Sequence, residues 1–205
     1  IARRYQGKLD DTADEFIHYA VDGTQRMQRM IDDLLTLSRV GRHGKPFHLV
    51  PLDDLFDAIV TNFKRAGSAP DGNIIREASL PSVMGDASQL LLLFQNLVSN
   101  GLKYSDPETG RVHISATETP DSHQIFVSDN GIGIDPQYHE TIFEIFKRLH
   151  GYGDYAGTGI GLAICKKITD RHGGTLNVTS VPDEGSTFCV ELPKELPIVV
   201  TSESM

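Results

Sequence analysis

Asn96-Leu97-Val98-Ser99-Asn100-Gly101-Leu102-Lys103-Tyr104 is the stretch on which the reading of this chain turns. Asn96 and Asn100 stand four residues apart and Lys103 three beyond, so in a helix the three share one face. Leu90, Leu93, Phe94, Leu97 and Val98 supply an apolar face, which predicts a helix half sunk in a core. Downstream come two glycine-bearing stretches, Asp129-Asn130-Gly131-Ile132-Gly133-Ile134 and Gly157-Thr158-Gly159-Ile160-Gly161-Leu162. Glycine-rich stretches alone are weak signals. In this order, with these polar residues, they match what a nucleotide needs: amide oxygens for a metal, a carboxylate for the base, a helix start for phosphates.

Each element has its own chemistry. Amide oxygens are hard, neutral ligands suited to Mg²⁺, which keeps several waters and takes few protein contacts. Lys103 on the same face acts on phosphate oxygens as a point charge. Asp129 follows a strand pattern, and an ionised carboxylate there accepts from the exocyclic amine of adenine. Gly131 and Gly133 let the backbone approach the ring. The second glycine stretch precedes a helical pattern, so its exposed N–H groups and the positive helix end form a phosphate cradle. Residues 153–156 read as a lid over the triphosphate, with Lys147 and Arg148 placed to reach the γ-phosphate.

Working outward, residues 1–40 read as a truncated helical hairpin: the end of one helix over 1–5, a turn, and a second helix over 11–40. Ala13, Ile17, Ala20, Thr24, Met27, Ile31, Leu34 and Ser38 alternate in steps of four and three, a heptad seam that needs a hairpin partner and a second chain. A plain coiled-coil linker is the other reading of this seam. Residues 41–46 break the pattern and serve as a linker. A domain over 47–193 follows, with strands at 47–52, 74–77, 83–85, 112–118, 124–128, 175–180 and 186–192. Helices are expected at 52–66, from a cap at Asp86 or Ser88 through the asparagines, at 136–142 and at 159–172. Residues 194–205 read as a flexible tail. Helices alternating with antiparallel strands predict an α+β fold, a two-layer α/β sandwich, rather than a doubly wound sheet.

The chain has 205 residues, 39% hydrophobic and 23% charged, with a formal net charge of -9. That acidity argues against nucleic acid as a partner, which requires a basic face. Cys165 and Cys189 carry no paired spacing and read as thiols of a reducing compartment. No apolar run is long enough to span a bilayer and no signal peptide is visible, so a cytoplasmic domain is expected, membrane attachment of the parent being left open. Opening at Ile1 within a helical pattern, the chain is expected to be a fragment of something longer.

On these motifs the chain resembles the catalytic, ATP-binding domain of sensor histidine kinases, within the Bergerat-type superfamily that includes DNA gyrase and the mismatch-repair ATPases. The asparagine stretch looks like the N box, Asp129 to Gly133 the first glycine box, and Phe143-Glu144-Ile145-Phe146 the F box. Gly157 to Leu162 looks like the second glycine box, and Gly185-Ser186-Thr187-Phe188 the closing strand. Arg148-Leu149-His150 and His172-Gly173-Gly174 look most like phytochrome-type and related soluble-sensor kinases. Residues 9–40 resemble the second helix of the dimerisation and phosphoacceptor hairpin.

The resemblance implies Mg²⁺ at Asn100 with Asn96 close by, and ATP or ADP as the nucleotide. It implies phosphate contacts from Lys103, Arg148, Gly159 and Gly161. Adenine would meet Asp129, a water held partly by Thr187, and apolar walls from Tyr104, Ile134 and Leu162. Gly131, Gly133, Phe146, Lys147, Gly157, Thr158 and Ile160 complete the expected nucleotide contacts, while Asn96, Asn100, Lys103 and Arg148 form the catalytic set. A homodimer, an upstream sensor domain and a response-regulator receiver domain are the implied partners.

One departure matters. The family's phosphoacceptor is a histidine followed by an acidic residue and, soon after, a proline. Of the eight histidines only His139 has an acidic neighbour, Glu140, and it lies in the nucleotide domain with no proline behind it. The phosphorylated histidine is therefore expected upstream of Ile1, and this stretch alone should not autophosphorylate. The superfamily's hydrolases carry a glutamate four residues before the metal-binding asparagine, where it activates water. Here that position is Asn96, and an amide cannot take the proton. Transfer to an imidazole, already nucleophilic when neutral, is favoured over hydrolysis. The alternative is a non-enzymatic module in which nucleotide binding only switches a partner interaction.

Overall fold

The computed structural model describes residues 1–5, 7–8, 10–42, 44–67, 73–77, 79–149 and 157–195. The expected lid over 153–156 and most of the expected tail lie outside the described residues. A single turn, α1 (Ala2–Tyr5), precedes the long helix α2 (Asp11–Arg42). Then come β1 (His48–Pro51), α3 (Leu52–Arg65), β2 (Ile74–Arg76), β3 (Ser82–Gly85) and α4 (Ala87–Lys103). The chain continues with β4 (Val112–Glu118), β5 (Ser122–Asp129), α5 (Gly161–Arg171), β6 (Thr175–Val181) and β7 (Gly185–Pro193).

Five strands form one sheet in the order β2-β4-β5-β7-β6, and β1 pairs with β3 in a separate two-stranded sheet. One pairing departs from the expected antiparallel pattern: β2 runs parallel to β4. The chain between them includes α4, and such a helical crossover returns a strand in the same direction. The helix expected over 136–142 is instead two short 3-10 turns, Pro136–Tyr138 and Thr141–Phe143. Pro136 starts the first, but no amphipathic run follows to extend it. Residues 41 and 42, expected in the linker, continue α2.

Strand alternation makes two layers. Ser186, Phe188, Val190 and Leu192 of β7 are buried under α4 and α5, while Thr187, Cys189 and Glu191 alternate onto the opposite, half-buried face. In α4 the apolar stripe Leu90, Leu93, Phe94, Leu97 and Val98 is buried, and Phe94 meets Phe56 of α3 with ring centroids 4.9 Å apart. Fully burying each such side chain contributes about 1.5–3 kcal/mol. Helix α2 joins this core through its second half, with Leu37 and Val40 buried in it and Met30 packed against it. Cys165 is buried, and burial pushes its thiol far up.

A polar knot fastens the end of α2 and the following segment to the sandwich. Asp86 caps α4 by accepting from the N–H groups of Ser88 at 3.0 Å and Gln89 at 3.3 Å, and its other oxygen accepts from Lys45 N–H at 2.7 Å. Gln89 donates to the Val40 carbonyl at 3.1 Å. Buried His172 accepts from Asp86 N–H at 3.0 Å through Nε2, donates from Nδ1 to the Ile168 carbonyl at 2.8 Å, and stacks on Phe47 at 4.4 Å. These partners require the neutral ring, and burial pushes the His172 pKa below its ordinary value. The unfolded chain therefore binds a proton that the folded one refuses. As pH falls through about 6.5, His172 should cost stability, at a slope of up to about 1.4 kcal/mol per pH unit. Urea titrations across pH 5–7 check this; the slope should shrink in His172→Gln.

Candidate functional site

Burial of the α4 apolar stripe leaves Asn96, Asn100 and Lys103 on the helix's remaining face, as the spacing predicts. Gly101 lets that helix settle on the sheet: a Cβ there would lie 2.7 Å from Val112 Cγ2 and 3.2 Å from Asp129 Cβ. The reason for a glycine here is tertiary. It sets α4 directly beside Asp129.

A cleft opens between the end of α4, the end of β5 and the start of α5. One lobe is lined by Tyr104, Asp129, Ile132, Gly133, Ile134, Leu149, Ser186 and Phe188. The other is lined by Asp33, Asn96, Ser99, Lys103, Gly157, Thr158, Gly159 and Gly161. Asn100, Tyr104, Ile142, Lys147, Arg148 and Leu162 line both, so the lobes are continuous. The first is apolar around one acid, and the second is polar and cationic.

Asp129 ends β5, and its Oδ1 accepts from the N–H of Gly131 at 2.9 Å and of Ser186 at 3.2 Å. Oδ2 has no hydrogen-bond partner among the described residues. Burial pushes the carboxyl above its ordinary range, and the two backbone donors only partly offset this. Such a carboxylate lacks a donor on its second oxygen. Gly133 closes the lobe from below. Its φ is +68°, and its backbone presses on the β6–β7 turn at Val181 and Pro182.

The polar lobe is organised by the start of α5. Ile160 stands at the cap position and has no side-chain oxygen, so the first N–H groups of α5 receive no side-chain cap from it. Lys103 Nζ donates to the Tyr104 hydroxyl at 2.8 Å and sits 4.3 Å from its ring centroid. Arg148 donates to the Gly157 carbonyl at 3.1 Å. Asn96 Nδ2 is buried without a hydrogen-bond partner among the described residues.

Four expected contacts need correction. Thr187 lies on the far face of β7, where its hydroxyl donates to Ser128 at 2.9 Å; Ser186, in register with Asp129, takes the cleft side. Ile160 is fully buried in the core rather than in the cleft. Phe146 is 52% exposed, with φ +67°, and reaches the site only through its N–H on the Gly159 carbonyl at 2.9 Å. Gly131 does not line the cleft and instead holds Asp129. Sequence reasoning missed Ser186, Phe188, Ile132, Ile142, Ser99, Leu149 and Asp33. Strand parity from Asp129 was the available signal for Ser186 and Phe188; nothing local pointed to Asp33.

The donor set is suited to Mg²⁺. No group of three or more His, Cys, Asp or Glu among the described residues forms a protein cage for a metal. Asn100 offers one hard amide oxygen at the junction of the lobes, which fits an ion that takes most of its ligands from phosphate and water.

Comparison with known proteins agrees with this geometry. Residues 85–196 match the family model described as histidine kinase-, DNA gyrase B-, and HSP90-like ATPase. Cyanobacterial phytochrome A of Nostoc sp. is 43% identical over 93% of this chain and 25% of its own length. The chain thus spans about a quarter of the length of that relative. Among solved structures, the mycobacterial sensor histidine kinase MprB superposes with a TM-score of 0.62 at 29% identity, covering 74% of this chain and 99% of that one. Full-length ShkA, in complex with AMPPNP, shares the fold at a TM-score of 0.69 and 22% identity, covering 93% of this chain and 40% of that one. The fold is that of histidine kinase ATP-binding domains, and the chain belongs to the histidine kinase-, DNA gyrase B- and HSP90-like ATPase family.

Proposed function

We propose that this chain is the ATP-binding kinase core of a two-component sensor histidine kinase. It places the γ-phosphoryl of ATP for transfer to a histidine on a segment preceding Ile1, from which it passes to a response-regulator aspartate. The observation that carries this reading is the pairing, in one cleft, of Asp129, whose Oδ2 has no donor among the described residues, with a helix start that lacks a side-chain cap from Ile160 and is flanked by cations. Asp129 is assigned the adenine amine, with Tyr104, Ile134 and Leu162 as apolar walls. Gly157, Thr158, Gly159 and Gly161, with Lys103, Lys147 and Arg148, are assigned the phosphates. Asn100, with Asn96 near it, is assigned Mg²⁺, which when bound neutralises phosphate charge.

Asn96 decides between transfer and hydrolysis. Four residues before Asn100, it offers an amide where water activation needs a base. Catalysis then rests on holding the phosphoryl group in line with an incoming imidazole and on compensating charge. Helix α2 is assigned to a homodimer: Phe16, Met27 and Ile31 are 66%, 59% and 53% exposed along its length, a stripe that a second copy would cover. No described helix is long and apolar enough to cross a membrane, and we place the domain in the cytoplasm, downstream of a sensor domain.

A chain extended through the preceding helix and incubated with γ-labelled ATP should acquire acid-labile label. The 205-residue chain alone should acquire none and should release little phosphate. Nucleotide binding without label in the extended chain would instead favour a nucleotide-switched interaction module. Steady phosphate release by the 205-residue chain would favour an ATPase.

A further inference from the structure

Among the described residues lining the polar lobe, Asp33 is the only carboxylate, and it comes from α2, 125 residues away from its partner in the lobe. Thr158 Oγ1 donates to Asp33 Oδ2 at 2.5 Å and also accepts from Ile160 N–H at 3.4 Å. One hydroxyl therefore ties the loop at the start of α5 to the long helix. The same lobe carries Lys103, Lys147 and Arg148. A negative charge among cations and beside the start of a helix stands where a phosphate is expected to go.

We propose that Asp33 is an internal anion of the phosphate lobe, clamping Thr158 to α2 and opposing the entry of nucleotide phosphates. This rests on the nucleotide reading of the cleft. Two like charges cannot share the lobe without repulsion, and the Thr158 hydroxyl cannot donate to both. Phosphate entry therefore breaks the clamp, and the clamp weakens phosphate binding by the same factor. Nucleotide occupancy is thereby coupled to the hold of the catalytic domain on α2. Asp33 is a positioning residue in this scheme, and the chemistry of transfer does not pass through it.

Calorimetry with ADP, ATP and inorganic tripolyphosphate tests the idea on the whole chain and on Asp33→Asn and Asp33→Ala. Removing one partly exposed like charge should tighten ATP binding about five-fold. The gain should be larger without Mg²⁺ than with it, because the free anion carries more charge, and it should shrink at high salt. Tripolyphosphate, which has no base, should gain in the same way. In the ligand-free chain, amide exchange over residues 157–161 should quicken in Asp33→Ala. Unchanged affinities, or unchanged exchange, would overturn the proposal. So would a loss of affinity confined to Mg²⁺-loaded nucleotide, which would make Asp33 a metal ligand instead. Failure of the nucleotide reading looks different: ADP would bind no better than tripolyphosphate, while the Asp33 variants would still gain for both.

Discussion

Replacing Asp129 with asparagine should weaken ADP and ATP binding by about 1.5–3 kcal/mol, the loss of one charge-assisted hydrogen bond. The variant keeps the shape of the side chain, and its Oδ1 can still accept from Gly131 and Ser186. What changes is the atom facing the base. An amide nitrogen donates, and the adenine amine also donates, so the pair is left unmade inside a half-closed lobe. Guanine offers an acceptor at that edge, so discrimination between adenine and guanine nucleotides should narrow. Ligand-free stability should stay level or rise, since burial already penalises the charged carboxyl. Loss of affinity with a maintained melting temperature thus separates a binding role from a structural one. The pH dependence carries the same sign. Only the ionised acid accepts on both oxygens, so affinity should fall as pH drops through its raised pKa, and Asp129→Asn should lack that inflection. Titrations by calorimetry check all three points; equal affinity in the variant would remove adenine from Asp129.

Gly133→Ala should be among the most damaging single-atom additions in the chain. A Cβ at that position would fall on the Val181 carbonyl and within 2.9 Å of Pro182 Cα, both backbone atoms that cannot swing aside. The φ of +68° adds the strain of a left-handed L-residue. Together these should cost about 2–5 kcal/mol, or roughly 4–20 °C in melting temperature for a chain of this size. Nucleotide affinity should fall too, because Gly133 and its neighbours Ile132 and Ile134 line the base lobe. Gly23→Ala is the matched control. In mid-helix, with only the Arg26 side chain within 4 Å of the added atom, it should be neutral or stabilising by up to about 1 kcal/mol. Equal melting temperatures for the two variants would contradict the packing described for Gly133.

Much of the site was legible because its parts are local. The interval from Asn96 to Lys103 is a helix period, and the buried Leu90–Leu97 stripe confirms the face it leaves open. Asp129 was placed at a strand end, where β5 terminates. The glycines before α5 were read as a helix start, and the helix begins at Gly161. The errors share one character. Thr187 rests on the resemblance alone; pairing β5 with β7 puts Asp129 opposite Ser186 and turns Thr187 away. Phe146 and Ile160 were carried along by membership in a motif, and packing gave one to the surface and the other to the core.

The residues therefore specify, within each element, which face is apolar and which carries chemistry, because a helix or strand repeats its own period whatever lies beside it. They do not specify which elements meet. The parallel placement of β2 on β4, the parity of β7 against β5, the seat that Gly101 makes for α4 beside Asp129, and the reach of Asp33 from α2 to Thr158 are all settled by burial summed over the whole chain. No local spacing encodes a contact between residues 33 and 158, since it exists only once the apolar ends of α2 and the sandwich have closed on one another.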